Sequence, residues 1–410
     1  MAASVRPDFR LPIDEPNYFF GRSHLLSEID RYPFRVRIIL GGRRLGNTST
    51  LNAVKRNLLG VSKDERQAFP VLFNLQQERP KSLEQFRYLL IARLQEAFAE
   101  YYGRNQANWK KTYRRFLRQI PGGSVDLGLP KFGLKLNVSN PDSDRSLIHE
   151  DFRQDLLKII KQLQQKQFTG VCFLLDGSEF IVSQDWANDA WSYLRALKDT
   201  DTALKPFVGF ILSGYRDLKD YQQAVGSPLL NIAEVEWLGT LTESETRSLI
   251  AYRSQEEKIL LTEAEVDRVI EWAGCHPYLT QQLLNEIFAN SPHEKLQFSD
   301  KFMLHLIRQH DRDFSAWWDE DKRTYGFGET EQTVYLALLD RREGTAETLL
   351  QTTNLSFGEV ADSLEVLAGT GVIQNLGDER YKMGAKLFEQ WVVQERNLGR
   401  NSRSSSDTSA

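Results

Sequence analysis

RIILGGRRLGNTSTL, residues 37–51, decides how the rest of the chain is read. Arg37-Ile38-Ile39-Leu40 has the apolar density of a buried strand. It feeds Gly41-Gly42-Arg43-Arg44-Leu45-Gly46, and Thr48 and Ser49 then open a helical pattern. A strand, a glycine-bracketed loop and a helix N-terminus together can cradle a phosphate with backbone N–H groups and the helix dipole. The spacing follows G-x-x-x-x-G-K-[ST] at every fixed position but one, because Asn47 stands in place of the lysine. That lysine neutralises the β and γ oxygens of a nucleotide, and the following hydroxyl, here that of Thr48, ligates Mg²⁺. Asn47 is shorter and neutral, and charge-assisted hydrogen bonds are about twice as strong as neutral ones. Arg43 and Arg44 bring charge to the loop from other points. A plain strand–turn–helix crossover would need the same glycines, so the loop requires support from elsewhere in the chain.

Two further stretches give it. VCFLLDGSEF (171–180) ends an apolar strand on Asp176, where a P-loop site needs its Mg²⁺ carboxylate, and Glu179 follows at a position able to activate a water. Asp-Gly is also a common turn pair, and Glu179 could equally be a solvated loop charge. FVGFILSGYRD (207–217) ends a second apolar strand on Ser213, with Arg216 just beyond, both candidates to face a γ-phosphate.

The composition bounds the rest. A chain of 410 residues exceeds one ordinary core, and 41% apolar with 26% charged residues is a globular composition. A net charge of -4 gives no global basic field for a polyanion. Cys172 and Cys275 fit no metal spacing, and their scarcity suits a reducing cytoplasm. No apolar stretch approaches the ~20 residues of a membrane span, so no membrane contact is expected.

Along the chain, apolar strands at 35–40, 70–75, 171–176 and 207–213 alternate with helical patterns at 48–59, 82–102 and 151–166. This predicts an α/β domain over residues 1–236, a P-loop parallel sheet with helices on both faces. The Gly-rich residues 122–139 predict an inserted hairpin. Thr242 with Glu245 and Thr262 with Glu265 form two capping boxes, which predict a helical lid domain over 237–327. Helical patterns at 331–341, 345–353 and 357–369, followed by short strands at 372–375 and 380–383, predict a winged-helix domain over 328–396. The Ser-rich 397–410 reads as a disordered tail.

The motifs, in order, resemble those of STAND and AAA-type P-loop ATPases across residues 15–396. Phe20-Gly21-Arg22 is similar to the hydrophobic-Gly-Arg motif beside the adenine. GGRRLGNT is similar to the G-x-R-R-x-G-K-T loop, and LLDGSEF to the D-G-x-[DE] Walker B variant. AGCHPYLTQQLL resembles the G-x-P segment of the helical domain, which would set Pro277 at the base and His276 near the phosphates. The resemblance implies ATP or ADP with Mg²⁺, held by Gly21, Arg22, the 41–49 loop, Ser213, His276 and Pro277. Thr48 and Asp176 would serve the metal, and Glu179 and Arg216 the chemistry. It implies a regulatory switch acting through protein partners or self-association, and Asn47 is the departure that predicts weak binding without efficient hydrolysis. FSAWWDEDKRTYGFG (314–328), with Trp317 and Trp318, is a candidate contact segment, the alternative being that the two tryptophans pack between the domains.

Origin-recognition initiators share the ATPase–lid–winged-helix order, which makes a DNA-associated ATPase the competing class, and an empty scaffold is a third. Charge opposes DNA. Residues 331–400 hold eleven Asp and Glu against seven Lys and Arg, and the expected recognition helix carries Glu359, Asp362 and Glu365 with no basic residue. A helix between phosphate rows would be repelled by three carboxylates, so DNA is not expected as a partner.

Overall fold

A computed structural model of the protein describes residues 7–60, 68–105, 148–224, 229, 231–290, 299–318 and 326–394. After helix α1 (Ser23–Arg31) the chain alternates β1 (Val36–Leu40), α2 (Asn47–Gly60), β2 (Ala68–Asn74), α3 (Leu75–Glu78), α4 (Leu83–Asn105), α5 (His149–Gln164), β3 (Gly170–Asp176), α6 (Glu179–Val182), α7 (Ala187–Asp199), β4 (Val208–Gly214), α8 (Arg216–Ala224) and β5 (Ala233–Trp237). All five strands are parallel, in the order β2-β3-β4-β1-β5. The near-continuous apolar runs arise because both faces are covered. Ile39, Cys172, Leu174 and Ile211 point to α1 and α2, while Ile38, Phe173 and Phe210 point to the cluster holding Phe86, Phe152 and Trp191 of α4, α5 and α7. The P-loop-type α/β sheet therefore forms as the sequence predicts. β5 is an addition: its alternating AEVEW pattern suits an edge strand, where Glu234 pairs with Arg37 at 2.9 Å. The hairpin expected at 122–139 and the tail at 397–410 lie outside the described residues.

Helices α9 (Glu243–Glu257), α10 (Glu263–Ala273), α11 (Pro277–Asn290), α12 (Asp300–Gln309) and α13 (Asp311–Trp318) follow. Thr242 and Thr262 each accept from the backbone N–H three residues on, and Glu245 and Glu265 answer, so both capping boxes form. The winged helix comprises α14 (Glu329–Arg341), β6 (Glu343–Gly344), α15 (Ala346–Leu350), α16 (Phe357–Gly369), β7 (Ile373–Gly377) and β8 (Arg380–Met383), with β6-β8-β7 antiparallel. A last helix, α17 (386–394), returns across it.

One apolar cluster runs through both the helical block and the winged helix. Its centre is Phe388, whose ring lies 5.5–6.2 Å from those of Phe314, Trp317, Trp318, Tyr335 and Trp391. Trp317 is therefore not an exposed anchor: it is buried and stacks on His276 at 5.1 Å. Phe388→Ala should cost about 3–5 kcal/mol, read from the shift of the denaturant midpoint. A cost under about 1 kcal/mol would show that the ring does not join the two parts.

Candidate functional site

Parallel register brings the strand ends to one level. Leu40 lies opposite Gly214 and Trp237, and Asn74 lies opposite Asp176. Asp176 is the hub there. Its carboxylate accepts from the Thr48 hydroxyl at 2.9 Å, the Ser213 hydroxyl at 2.7 Å and the Asn74 amide at 3.3 Å. Three residues read from the sequence thus meet in space. Asn74 was missed, and its signal was its place at the end of the strand beside β3. A hydroxyl and a carboxylate at the mouth of the loop form an oxygen donor set suited to Mg²⁺. Among the described residues no cluster of three or more His, Cys, Asp or Glu offers another metal site.

Asn47 does not act as a short lysine. Its Nδ2 donates to the Gly214 carbonyl at 2.9 Å, which also accepts from the Gly41 N–H at 3.3 Å. Its Oδ1 presses on Gly41, where any Cβ would collide with it, and has no donor among the described residues. The side chain therefore clasps the loop to the end of β4. Gly46 (φ 97°) and Arg44 (φ 70°) take the left-handed turns that bend the loop into α2. The first turn of α2 leaves N–H groups without intrahelical partners.

Glu179 opens α6 and receives the Gln76 amide at 2.6 Å on Oε1, while Oε2 lies buried beside Gly214 without a donor among the described residues. Burial first, and the nearby Asp217 and Asp176 carboxylates next, push its pKa up to about 7. Burial likewise lifts Asp217 to about 6. Arg216 turns elsewhere: it pairs with Glu331 of α14 at 2.8 Å and with Asp220 at 3.6 Å.

A cleft of about 290 Å³ opens over the loop. Its wall holds Arg22, residues 42–50 and Pro277, with Tyr18, Phe20, Leu241, Leu249 and Gln281 beyond them. Arg22 donates to the carbonyls of Leu238, Gly239 and Thr240, and burial lowers its pKa to about 10. Gly21 (φ 77°) leaves no room for a Cβ against Leu241 and Glu245. Arg43 and Arg44 each lie 3.8 Å from Asp313, which also accepts from the Tyr278 hydroxyl at 3.2 Å. An N-terminal strap that the sequence did not signal crosses α2, with the Ile13 N–H on Ser49 Oγ at 2.8 Å. His276 is not in the cleft wall. It is fully buried under Trp317, and burial pushes its pKa down to about 3, so the ring is neutral.

The winged helix touches the loop directly. A Cβ on Gly42 would lie 2.5 Å from the Thr370 carbonyl oxygen at the end of α16, and Leu45 fills the space over Gly371. Glu365 of α16 accepts from the Trp237 indole at 3.0 Å and from Lys219 of α8 at 2.7 Å.

A family model described as TrmB, a sugar-specific transcriptional regulator, matches residues 322–389. The chain is similar in structure to the Walker-type ATPase PABY2304 of Pyrococcus abyssi, at 15% identity and a TM-score of 0.52, covering 93% of this chain and 98% of that one. It is also similar to the Aeropyrum pernix Orc1 protein in complex with DNA (13%, TM-score 0.41, covering 94% and 95%). The Thermotoga maritima RuvB Holliday junction branch migration motor matches at 12% and a TM-score of 0.36, covering 92% and 96%. No curated protein matches. The chain has a P-loop ATPase fold with a C-terminal winged helix. Because the matched family is described as transcriptional, the expectation from charge that DNA is no partner stands in conflict with that match. No helix among the described residues is long and apolar enough to cross a membrane.

The raised Glu179 pKa gives a pH signature. Below about 4.5 the carboxyl is protonated in the folded and unfolded chains alike. As pH rises towards about 7 the unfolded chain ionises first, so the folded state loses stability, fully by about pH 8. Glu179→Gln should therefore melt above wild type at about pH 8 and level with it near pH 4.5, by on the order of 2–4 °C per kcal/mol relieved. An equal gap at both pH values would show that ionisation is not the cause.

Proposed function

We propose that the chain is a nucleotide-dependent regulatory switch of the STAND kind, which binds ATP or ADP in the loop cleft and acts through protein partners or self-association. The single observation behind this is the contact of Gly42 with the Thr370 carbonyl, since a loop in van der Waals contact with the winged helix cannot move without it. Phosphates would take the first N–H groups of α2 and the charge of Arg43 and Arg44. Thr48 and Asp176 would hold Mg²⁺, which supplies charge neutralisation between phosphate oxygens. Glu179, with a pKa near 7, suits a group that takes a proton from water. Hydrolysis is slow in this reading. Asn47 spends its donor on Gly214 and Arg216 is engaged by Glu331, so the charge that would stabilise the transferring phosphoryl is missing.

Two measurements test it. Wild type should bind ADP by calorimetry, and Glu365→Lys, outside the cleft wall, should change that affinity by roughly 5-fold or more. An unchanged Kd would remove the coupling, and no binding of ADP or ATP at millimolar concentration would remove the nucleotide. Asn47→Lys should tighten ATP binding while giving up the Gly214 clasp, at a stability cost of about 1 kcal/mol. A loosened or unchanged ATP Kd would refute this view of Asn47.

The second reading, a DNA-associated ATPase, is favoured by the transcriptional-regulator match over residues 322–389. Full-length protein that binds duplex DNA with an affinity falling steeply with salt, and more tightly with nucleotide present, would make it the main one.

A further inference from the structure

The cleft wall facing away from the loop has its own chemistry. Arg253 of α9 is fully buried. Its guanidinium donates to Gln281 Oε1 and to Asn285 Oδ1 at 2.9 Å, lies 3.7 Å from Glu257, and sits 4.2 Å from the centre of the Phe9 ring. A guanidinium is donor-only, so it fixes which way the Gln281 carboxamide faces: oxygen towards Arg253, nitrogen away. The reverse orientation would set N–H against N–H around a buried charge. Gln281 is 5% exposed and lines the cleft, with its Nε2 on the side of the carboxamide turned from Arg253. The lining of the same cleft includes the apolar and aromatic side chains of Phe9, Tyr18 and Leu249. On α11, Gln281 lies about 6 Å further along the axis than Pro277, at 1.5 Å per residue. Pro277 is next to Tyr278, whose ring Arg44 of the loop covers at 5.0 Å. The amide is thus displaced from the phosphate end, among aromatic walls.

We infer that Gln281 is the specificity-determining residue for the base: its oriented Nε2–H donates to an acceptor atom on the edge of the nucleobase, with Arg253 as its positioning residue. This rests on the nucleotide reading above. A ring lying between aromatic and aliphatic walls presents only its edge to polar groups, and a side chain offering donors alone selects a ring nitrogen or carbonyl over an amino group.

The test uses full-length protein and calorimetry with ADP and its 1-deaza, 3-deaza and 7-deaza analogues, each of which replaces one ring nitrogen with C–H. One analogue should bind wild type roughly 10-fold more weakly than ADP, the scale of one lost hydrogen bond and its unsatisfied partner. In Gln281→Leu, ADP should weaken by a similar factor and that analogue no further. Gln281→Glu keeps a partner for Arg253, and so the fold, but turns acceptor lone pairs to the cleft; it should bind ADP as poorly as the leucine variant or worse. All three analogues binding wild type like ADP, or a deaza penalty that persists in Gln281→Leu, would overturn the assignment of Gln281 while leaving the nucleotide site intact. Failure of wild type to bind ADP or ATP would overturn both, and it would be seen before any variant is made.

Discussion

β4 lies between β1 and β3, and the site exists because of that placement. In a parallel sheet the strand ends share a level, so the middle strand sets what the outer two can touch. Gly214, at the end of β4, takes the Gly41 and Asn47 N–H groups from one side and stands beside the Glu179 carboxylate on the other. One residue earlier, Ser213 ties β4 to Asp176 on β3. With β4 elsewhere, Gly214 and Ser213 would no longer stand between the loop on β1 and the carboxylates that follow β3. The bonds inside this arrangement are individually modest, about 1 kcal/mol each, but they share one register, so none can shift alone.

Where the bodies meet, small residues do what side chains cannot. Gly42 admits Thr370, Gly369 admits the Trp237 ring, and Gly274 admits Gly384 and Ala385. Each contact brings one backbone against another surface at a distance that a Cβ would forbid. Polar pairs then fix the orientation: Lys219 and Trp237 with Glu365, Arg216 with Glu331, Lys386 with Glu271. The carboxylate of Glu365, which from sequence looked like a repellent for DNA, has an internal partner. Glu359 is likewise engaged: its carboxylate closes the capping box of α16, accepting from the Ser356 N–H and hydroxyl at 2.7 Å, while Asp362 on the same helix is exposed.

Sequence reading recovered what depends on local pattern. β1, β3 and β4 are legible as unbroken apolar runs, and Thr48, Asp176 and Ser213 as polar residues closing such runs or opening a helix. β5 was not legible because Glu234 and Glu236 interrupt it, as an edge strand allows. α17 was overlooked because three helices and a hairpin already completed the expected unit. The role of Asn47 depends on strand order, which no single sequence prints, and so does the turn of Arg216 towards α14. From sequence His276 looked like a phosphate neighbour, and Trp317 was open between a surface contact and packing between domains; the two stack on each other in the core.

The Arg22 guanidinium holds three successive carbonyls, at Leu238, Gly239 and Thr240, where the chain leaves the sheet for the helical block. The described residues of the helical block and the winged helix share the core centred on Phe388. A piece pinned at its root can pivot but cannot slide. In a pivot the displacement grows with the distance from the pin, so a tilt too slight to disturb the bonds at Arg22 is magnified at the tip of the β7–β8 wing. In mechanical terms, Arg22 stands where the fulcrum of such a lever would be, with Gly42 under its short arm.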